Sequence, residues 1–272
     1  MKTKGIAIVE ISGGLGNQLF QLGAARLLTR SFETVYLDFT ANVINPKRKN
    51  EVIEFSKALG FPLVQNSLVI RKILAKLRLT RIEHHFRRED LVTEKVNFSI
   101  PTAINSKRKV RFRGYWQNIE CAKAIREEVR SWITVFPQDS IGIHIRRGDY
   151  TIKDNLKVHG LLTDEYFNSI INVFEINSKL KIYSDSPIEI AGMEYMKKKF
   201  HVEEALAKEP WETLVQLSGH SVIVISNSTF SWWAAFLSDA KTIYMPDEWM
   251  PSKPTPAELL LDRSILCKTF FA

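Results

Sequence analysis

Short apolar runs recur along this chain, each closed by a glycine, a proline, a small polar residue or a charge. They are GIAIVEIS at residues 5–12, TVYLDF at 34–39, VRFRGYW at 110–116, IGIHIR at 141–146, LKIYSD at 180–185, SVIVIS at 221–226 and KTIYMP at 241–246. Apolar runs of this length bounded by turn formers read as buried strands. Between them lie stretches with helical spacing, including Leu19, Leu22, Leu27 and Leu28 after the first run. Further helices are expected over residues 50–59, 118–135, 164–176 and 211–218, from Pro187, and over FSWWAAFLSDA after Thr229. In the 118–135 helix, Ile119, Ala122, Ile125, Val129 and Trp132 form the buried face. Strands alternating with helices specify parallel sheets covered on both faces, so the expected class is α/β. KTIYMP reads as the last strand. The best linker is 136–140, containing Pro137, which divides the chain into lobes 1–136 and 137–272.

The most informative run is IGIHIRRGDY. If its strand continues through Arg146, then Ile141, Ile143 and Ile145 share one face and Gly142, His144 and Arg146 the other. His144, Arg146, Arg147, Asp149 and Tyr150 then gather at one strand end, where open α/β sheets bind ligands. Two adjacent arginines beside a histidine and an aspartate specify an anion site. In SNSTFSWWAAF, Ser228 or Thr229 caps a helix whose first N–H groups can receive an anion. Trp232 and Trp233 belong to the core. Ser184 and Asp185 end a third strand, where a carboxylate can accept hydrogen bonds from a ribose or a purine edge. Together these residues form a diphosphate clamp.

Charge and composition narrow the ligand. The 272-residue chain carries a net charge of +8, and its pI near 9.4 favours an anionic partner. Cys121 and Cys267 are its two cysteines, which excludes a disulfide framework and fits a reducing compartment. The apolar run after MKTK contains Glu10 and leads into a glycine turn rather than a cleavage site, so it reads as a strand and not a signal peptide. No apolar stretch approaches the ~18 residues needed to span a bilayer. A cytoplasmic location is expected, peripheral at the inner membrane face. Residues 71–88 carry seven Lys or Arg against one Glu, with Ile73, Leu74, Leu77 and Ile82 on an apolar face. This reads as a basic helix, either solvated or lying on an acidic membrane. His84 and His85 are adjacent, not at i,i+4 spacing, and are not taken as metal ligands. The sequence has no P-loop, HExxH, paired CxxC, GxSxG or Asp-x-Asp motif. A diphosphate handled without metal needs side-chain cations, and Arg146 and Arg147 suit that task.

Four motifs now resemble those of α-1,2-fucosyltransferases, glycosyltransferase family 11. HIRRGDY is similar to the family's His-x-Arg-Arg-x-Asp-Tyr motif, GGLGNQLFQLG to its N-terminal signature, GYWQN to its mid-chain segment, and SNSTFSWWAAFL to its C-terminal motif. They stand in the family's order and cover nearly the whole chain, in the compact bacterial type without a membrane anchor. The resemblance implies a GT-B-like fold of two Rossmann-like lobes with parallel sheets. It implies that the C-terminal lobe binds GDP-fucose and the N-terminal lobe helps hold a galactose-terminated glycan. The implied reaction is inverting, metal-independent transfer of L-fucose to a galactose 2-hydroxyl, in surface-glycan or O-antigen biosynthesis, with no cofactor. Arg146 is implied to stabilise the departing GDP, supported by His144 and Arg147. Asp149 is implied to orient the arginines or approach the acceptor hydroxyl. Ser228 and Thr229 are implied to meet the phosphates and Asp185 the nucleoside, with Tyr150, Gly14 and Asn17 also on the donor side. Asp149 and Asp154 are both candidates for the general base.

Two other readings compete. Gly14, Gly16 and Asp38 partly match the dinucleotide fingerprint of an oxidoreductase, but Leu19 occupies the third glycine position. The basic stretches 71–88 and 107–113 suit a nucleic-acid-binding protein, without a recognisable module to support it, so no nucleic-acid partner is expected.

Overall fold

The computed structural model describes residues 3–44, 49–64, 90–93, 109–186, 193–205 and 209–272. They fall into two units, Met1–Trp132 and Ile133–Ala272. The basic segment at 71–88, residues 45–48 of the NPKRK loop, and Pro187 lie outside the described residues.

The first unit contains β1 (Thr3–Glu10), α1 (Leu15–Leu28), β2 (Phe32–Asp38), α2 (Thr40–Ile44), α3 (Ile53–Ala58), β3 (Asp90–Thr93), β4 (Lys109–Arg113), α4 (Ile119–Lys123) and α5 (Arg126–Trp132). Its sheet runs β2-β1-β4-β3, and every pairing is parallel. Leu19, Phe20, Leu22 and Ala25 are fully buried on α1, each large one contributing about 1.5–3 kcal/mol. Gly23 lets α1 approach the chain at Cys121, where a Cβ would stand 1.9 Å from the carbonyl oxygen. The helix expected over 118–135 is divided at Ala124–Ile125, where Ile125 N–H donates to the Ala122 carbonyl in an i→i+3 bond that tightens the first segment's end. Trp132, expected to be buried, is 45% exposed and leans on Phe55.

The second unit contains β5 (Gln138–Ile145), α6 (Lys153–His159), α7 (Asp164–Ile171), β6 (Lys179–Ser184), α8 (Met193–Lys199), β7 (His201–Glu204), α9 (Pro210–Ser218), β8 (His220–Val224), α10 (Thr229–Leu237) and β9 (Thr242–Pro246). The short pair β10 (Glu248–Met250) and β11 (Lys253–Pro254) precedes β12 (Ser264–Cys267). The main sheet is parallel throughout, in the order β12-β9-β8-β5-β6-β7. Gln138–Ser140, read from sequence as part of a linker, are the first residues of β5. KTIYMP is not the last strand, because β12 adds to the sheet edge beside β9. β12, β3 and β7 escape a sequence reading for one reason: they are edge strands of only four residues each. Ile143, Ile145, Tyr166, Phe167 and Ile182 centre this unit's core, and Trp232 and Trp233 are fully buried as expected.

Strand order positions the sites. In the second sheet the chain moves outward from β5 through β6 to β7, then returns to β8 on the other side of β5. The loops after β5 and β8 therefore diverge, opening a crevice at the carboxyl ends of the strands. In the first sheet β1 likewise lies between β2 and β4, the chain reaching the outer β3 before β4. Among the described residues, no helix is long and apolar enough to cross a membrane.

Candidate active site

β5 ends at Ile145, so Arg146 begins the loop rather than continuing the strand. Ser226, following β8, joins the two sides of the crevice. Its hydroxyl donates to the His144 carbonyl at 2.6 Å and accepts the Arg146 N–H at 3.0 Å. The Arg146 guanidinium is held between two carboxylates, pairing through Nη2 with Asp149 and through Nη1 with Asp185 at 2.5 Å. Asp185 also accepts the Arg147 N–H at 2.8 Å. This packing requires Gly148, where φ is +23° and a Cβ would lie 2.2 Å from Asp185 Oδ2.

Arg147 turns away from its neighbour. Its guanidinium donates to the Leu162 carbonyl at 2.9 Å and to Asp164 at 3.2 Å, and it lies over the Phe167 ring. Burial lowers its pKa, while Asp164 and Asp185 oppose the shift. Arg147 thus secures the loop, and Arg146 presents the cation at the crevice. His144 is buried against Phe230. Burial, and then the Arg146 charge, hold its pKa down to about 3, so it is neutral at pH 7. Its Nδ1 is buried without a hydrogen-bond partner.

On the β8 side, Ser228 takes the N-cap position of α10 with extended backbone, and its hydroxyl makes no capping bond. The positive end of that helix dipole therefore faces the loop beside a hydroxyl that is not needed for capping. Tyr150 links the two loops by donating from its hydroxyl to the Asn227 carbonyl at 3.1 Å. Its ring lies under Arg146, 5.2 Å from the guanidinium carbon, and stacks on His159 at 4.9 Å. The crevice thus gathers Arg146, Asp149, Tyr150 and Asp185 on one side and Ser228 and Thr229 on the other, with His144 buried beneath it and Arg147 turned toward Asp164. Sequence reasoning missed Ser226, Asp164 and His159. Serine at a strand end carries little signal, and Asp164 and His159 are brought to the motif only by the fold.

Gly14 and Asn17 lie in the first unit, at its own switch point. Gly14 is the N-cap of α1, while Gly13 has φ +80° and no room for a side chain: a Cβ would stand 2.9 Å from Asn17 Nδ2. Asn17 accepts from Gln117 Nε2 at 3.1 Å. Gln21 bridges β1 and β4 by accepting from Ser12 N–H at 2.8 Å and donating to Gly114 at 2.8 Å. β4 ends at Arg113, so residues 114–116, expected as the end of that strand, form a turn in which Trp116 has left-handed backbone (φ 54°). Tyr115 is exposed beside this turn. Neutral amides and an aromatic ring line it, a set suited to a sugar. Asp38 does not present a carboxylate for a dinucleotide: it is buried, pairs with Arg111 at 2.6 Å and accepts from Thr40. The same pairing places Arg111 inside the sheet, and Arg113 pairs with Glu10. Among the described residues, no group of three or more His, Cys, Asp or Glu side chains is placed to hold a metal ion.

Two α/β units with parallel sheets, and a cationic crevice at the switch point of the second, define a GT-B-like glycosyltransferase. A family 9 glycosyltransferase from Veillonella parvula shares this fold with a TM-score of 0.50 at 9% identity, covering 100% of this chain and 89% of that one. The chain belongs to glycosyl transferase family 11, whose model matches residues 4–258. It is 25% identical to an α-1,2-colitosyltransferase of Escherichia coli, over 90% of this chain and 92% of the relative. It is 23% identical to human galactoside α-(1,2)-fucosyltransferase 1 over 124 residues, 42% of this chain and 33% of that one.

Proposed function

We propose that this protein transfers L-fucose from GDP-β-L-fucose to the 2-hydroxyl of a galactose-type residue in a surface glycan, with inversion and without a metal. The observation that carries this reading is Arg146, set at the switch point opposite the Ser226–Thr229 loop and the α10 N-terminus. On binding, the diphosphate exchanges with a carboxylate at Arg146. Charge-assisted contacts from the guanidinium, with the Ser228 and Thr229 groups, stabilise the negative charge that grows on GDP as the glycosidic bond breaks. Asp149 and Asp185 keep the guanidinium aimed, and Arg147 fixes the loop. Acceptor sugar binds at the first unit's turn, where Tyr115 offers a stacking face and the amides offer donors and acceptors.

The test is direct. Protein incubated with GDP-fucose and a β-galactoside in EDTA should release GDP and yield an α-1,2 linkage by NMR. A different linkage refutes the acceptor assignment, and loss of turnover in EDTA refutes metal independence. The colitosyltransferase relative supports a second reading in which colitose is the transferred sugar, and competition between GDP-fucose and the corresponding colitose donor decides. The proposal includes attachment of the basic 71–88 segment to an acidic membrane face, tested by liposome co-sedimentation at low and high salt.

A further inference from the structure

Inverting transfer requires a group to take the proton of the attacking hydroxyl. Around Arg146 the carboxylates are already engaged: Asp149 and Asp185 point oxygens at Arg146, and Asp164 at Arg147. Asp154 is exposed on α6, a helix whose other end carries His159. His144 is closed in by the core and by Phe230.

We infer that His159 is the general base, accepting the proton of the acceptor hydroxyl at one of its imidazole nitrogens; this rests on the fucosyl-transfer reading above. The ring is half-buried and stacks on Tyr150 with centroids 4.9 Å apart and planes 12° from parallel. Tyr150 in turn underlies the Arg146 guanidinium. The His159 carbonyl accepts from Asn227 Nδ2 at 2.8 Å, and the Asn227 carbonyl accepts from the Tyr150 hydroxyl. His159 is therefore tied to both loops that form the crevice, one step removed from the leaving-group cation. Burial lowers its pKa below the ordinary 6.5, with Asp149 pulling upward and Arg146 pushing down. The other charged residues on its own helix are Lys153, Asp154 and Lys157, and β10, which packs against that helix, carries Glu248, whose carboxylate accepts the Ser252 N–H. A neutral imidazole carries one N–H and one lone pair, and the lone pair is what a base requires.

The step balances. The acceptor oxygen bonds to C1 of the sugar, and the C1–O bond to the β-phosphate breaks with its electron pair leaving on GDP. The hydroxyl proton passes to imidazole and then to solvent.

His159→Phe keeps a flat ring on Tyr150 but has no lone pair, and His159→Gln is the second variant. Both should bind GDP within about threefold of wild type by calorimetry while kcat falls about 10²–10⁴-fold. In wild type, kcat should rise with pH on an acid limb that both variants lose, and added imidazole should restore part of the turnover of His159→Ala. Wild-type turnover in His159→Phe overturns the assignment, as does an unchanged acid limb. Loss of GDP affinity in both variants also overturns it, because His159 would then belong to the donor pocket. If wild type itself fails to bind GDP, the donor reading falls and the base assignment with it. If wild type binds GDP and transfers fucose while the variants match it, only the base assignment falls.

Discussion

The Asp185 carboxylate meets the Arg146 guanidinium at 2.5 Å while accepting the main-chain N–H of Arg147 at 2.8 Å. One side chain from the end of β6 thus sets both the direction of the crevice cation and the path of the chain that follows it. Asp185 acts in this structure as a brace for the arginine pair. Substitution by Asn keeps an oxygen for the Arg147 N–H but weakens the hold on Arg146, whereas Ala removes both. Turnover should therefore fall in the order wild type, Asp185→Asn, Asp185→Ala. The Ala variant should lose about 0.5–1.5 kcal/mol of stability through the lost hydrogen bond to the Arg147 N–H. Steady-state kinetics with urea denaturation checks the order, and equal turnover in all three proteins removes the brace.

Arg146 carries the largest expected effect. Arg146→Ala should lower kcat about 10²–10³-fold, since it removes the group that stabilises charge on the departing diphosphate. Lys should recover part of this, because it keeps a charge but loses the fork that meets two oxygens at once. Arg147 is engaged elsewhere, so Arg147→Ala should lower the melting temperature as well as activity. Paired activity and calorimetry measurements separate the two arginines.

In the first unit, Tyr115→Ala should raise KM for the acceptor several-fold and leave GDP binding unchanged, with Tyr115→Phe close to wild type. Unchanged acceptor KM in the Ala variant rules out the ring as a sugar platform.

Packing gives a prediction independent of the chemistry. A Cβ on Gly23 would stand 1.9 Å from the Cys121 carbonyl oxygen. The atom met is a backbone carbonyl that cannot swing aside, so Gly23→Ala should cost about 3 kcal/mol or more as α1 is forced away. Gly60 has open space around it but φ +76°, so Gly60→Ala should cost only about 1 kcal/mol. Denaturant midpoints compare them.

Stability should fall as the solution is acidified from neutrality. Burial, then Arg146, holds His144 at about 3, and burial, then Lys181, holds His220 at about 4, both below the ordinary 6.5. The unfolded chain binds protons at these histidines below pH 6.5, and the folded chain does not until pH nears 3 or 4. Their contribution is thus fully present above pH 6.5 and is lost as pH falls toward those values, by up to about 1.4 kcal/mol per pH unit for each. His220 is held by Ser140 and Tyr183, each at 2.8 Å. His220→Gln should flatten the pH dependence of unfolding by about one proton, measured by urea titrations at pH 7 and pH 5.

The sequence by itself determined the class of fold and the centre of the site. Apolar runs alternating with helices leave parallel sheets as the economical arrangement, and a strand must bury Ile141, Ile143 and Ile145 and so deliver HIRRGD to its carboxyl end. Trp232 and Trp233 likewise read as core from their place in an apolar helix, and both are fully buried. Tertiary structure decided what strand order and loop conformation control. Placing β8 beside β5 joins Ser226 to Arg146, and the packing of the following loop and helix gives Arg146 to Asp149 and Asp185 while Arg147 meets Leu162 and Asp164. The fold also stacks His159 on Tyr150 and confines Asp38 within an ion pair that a fingerprint search cannot foresee. Local sequence reports periodicity because neighbouring residues share one backbone geometry. Which distant carboxylate meets which arginine depends on how strands are ordered across the sheet, and that is fixed only when the whole core packs.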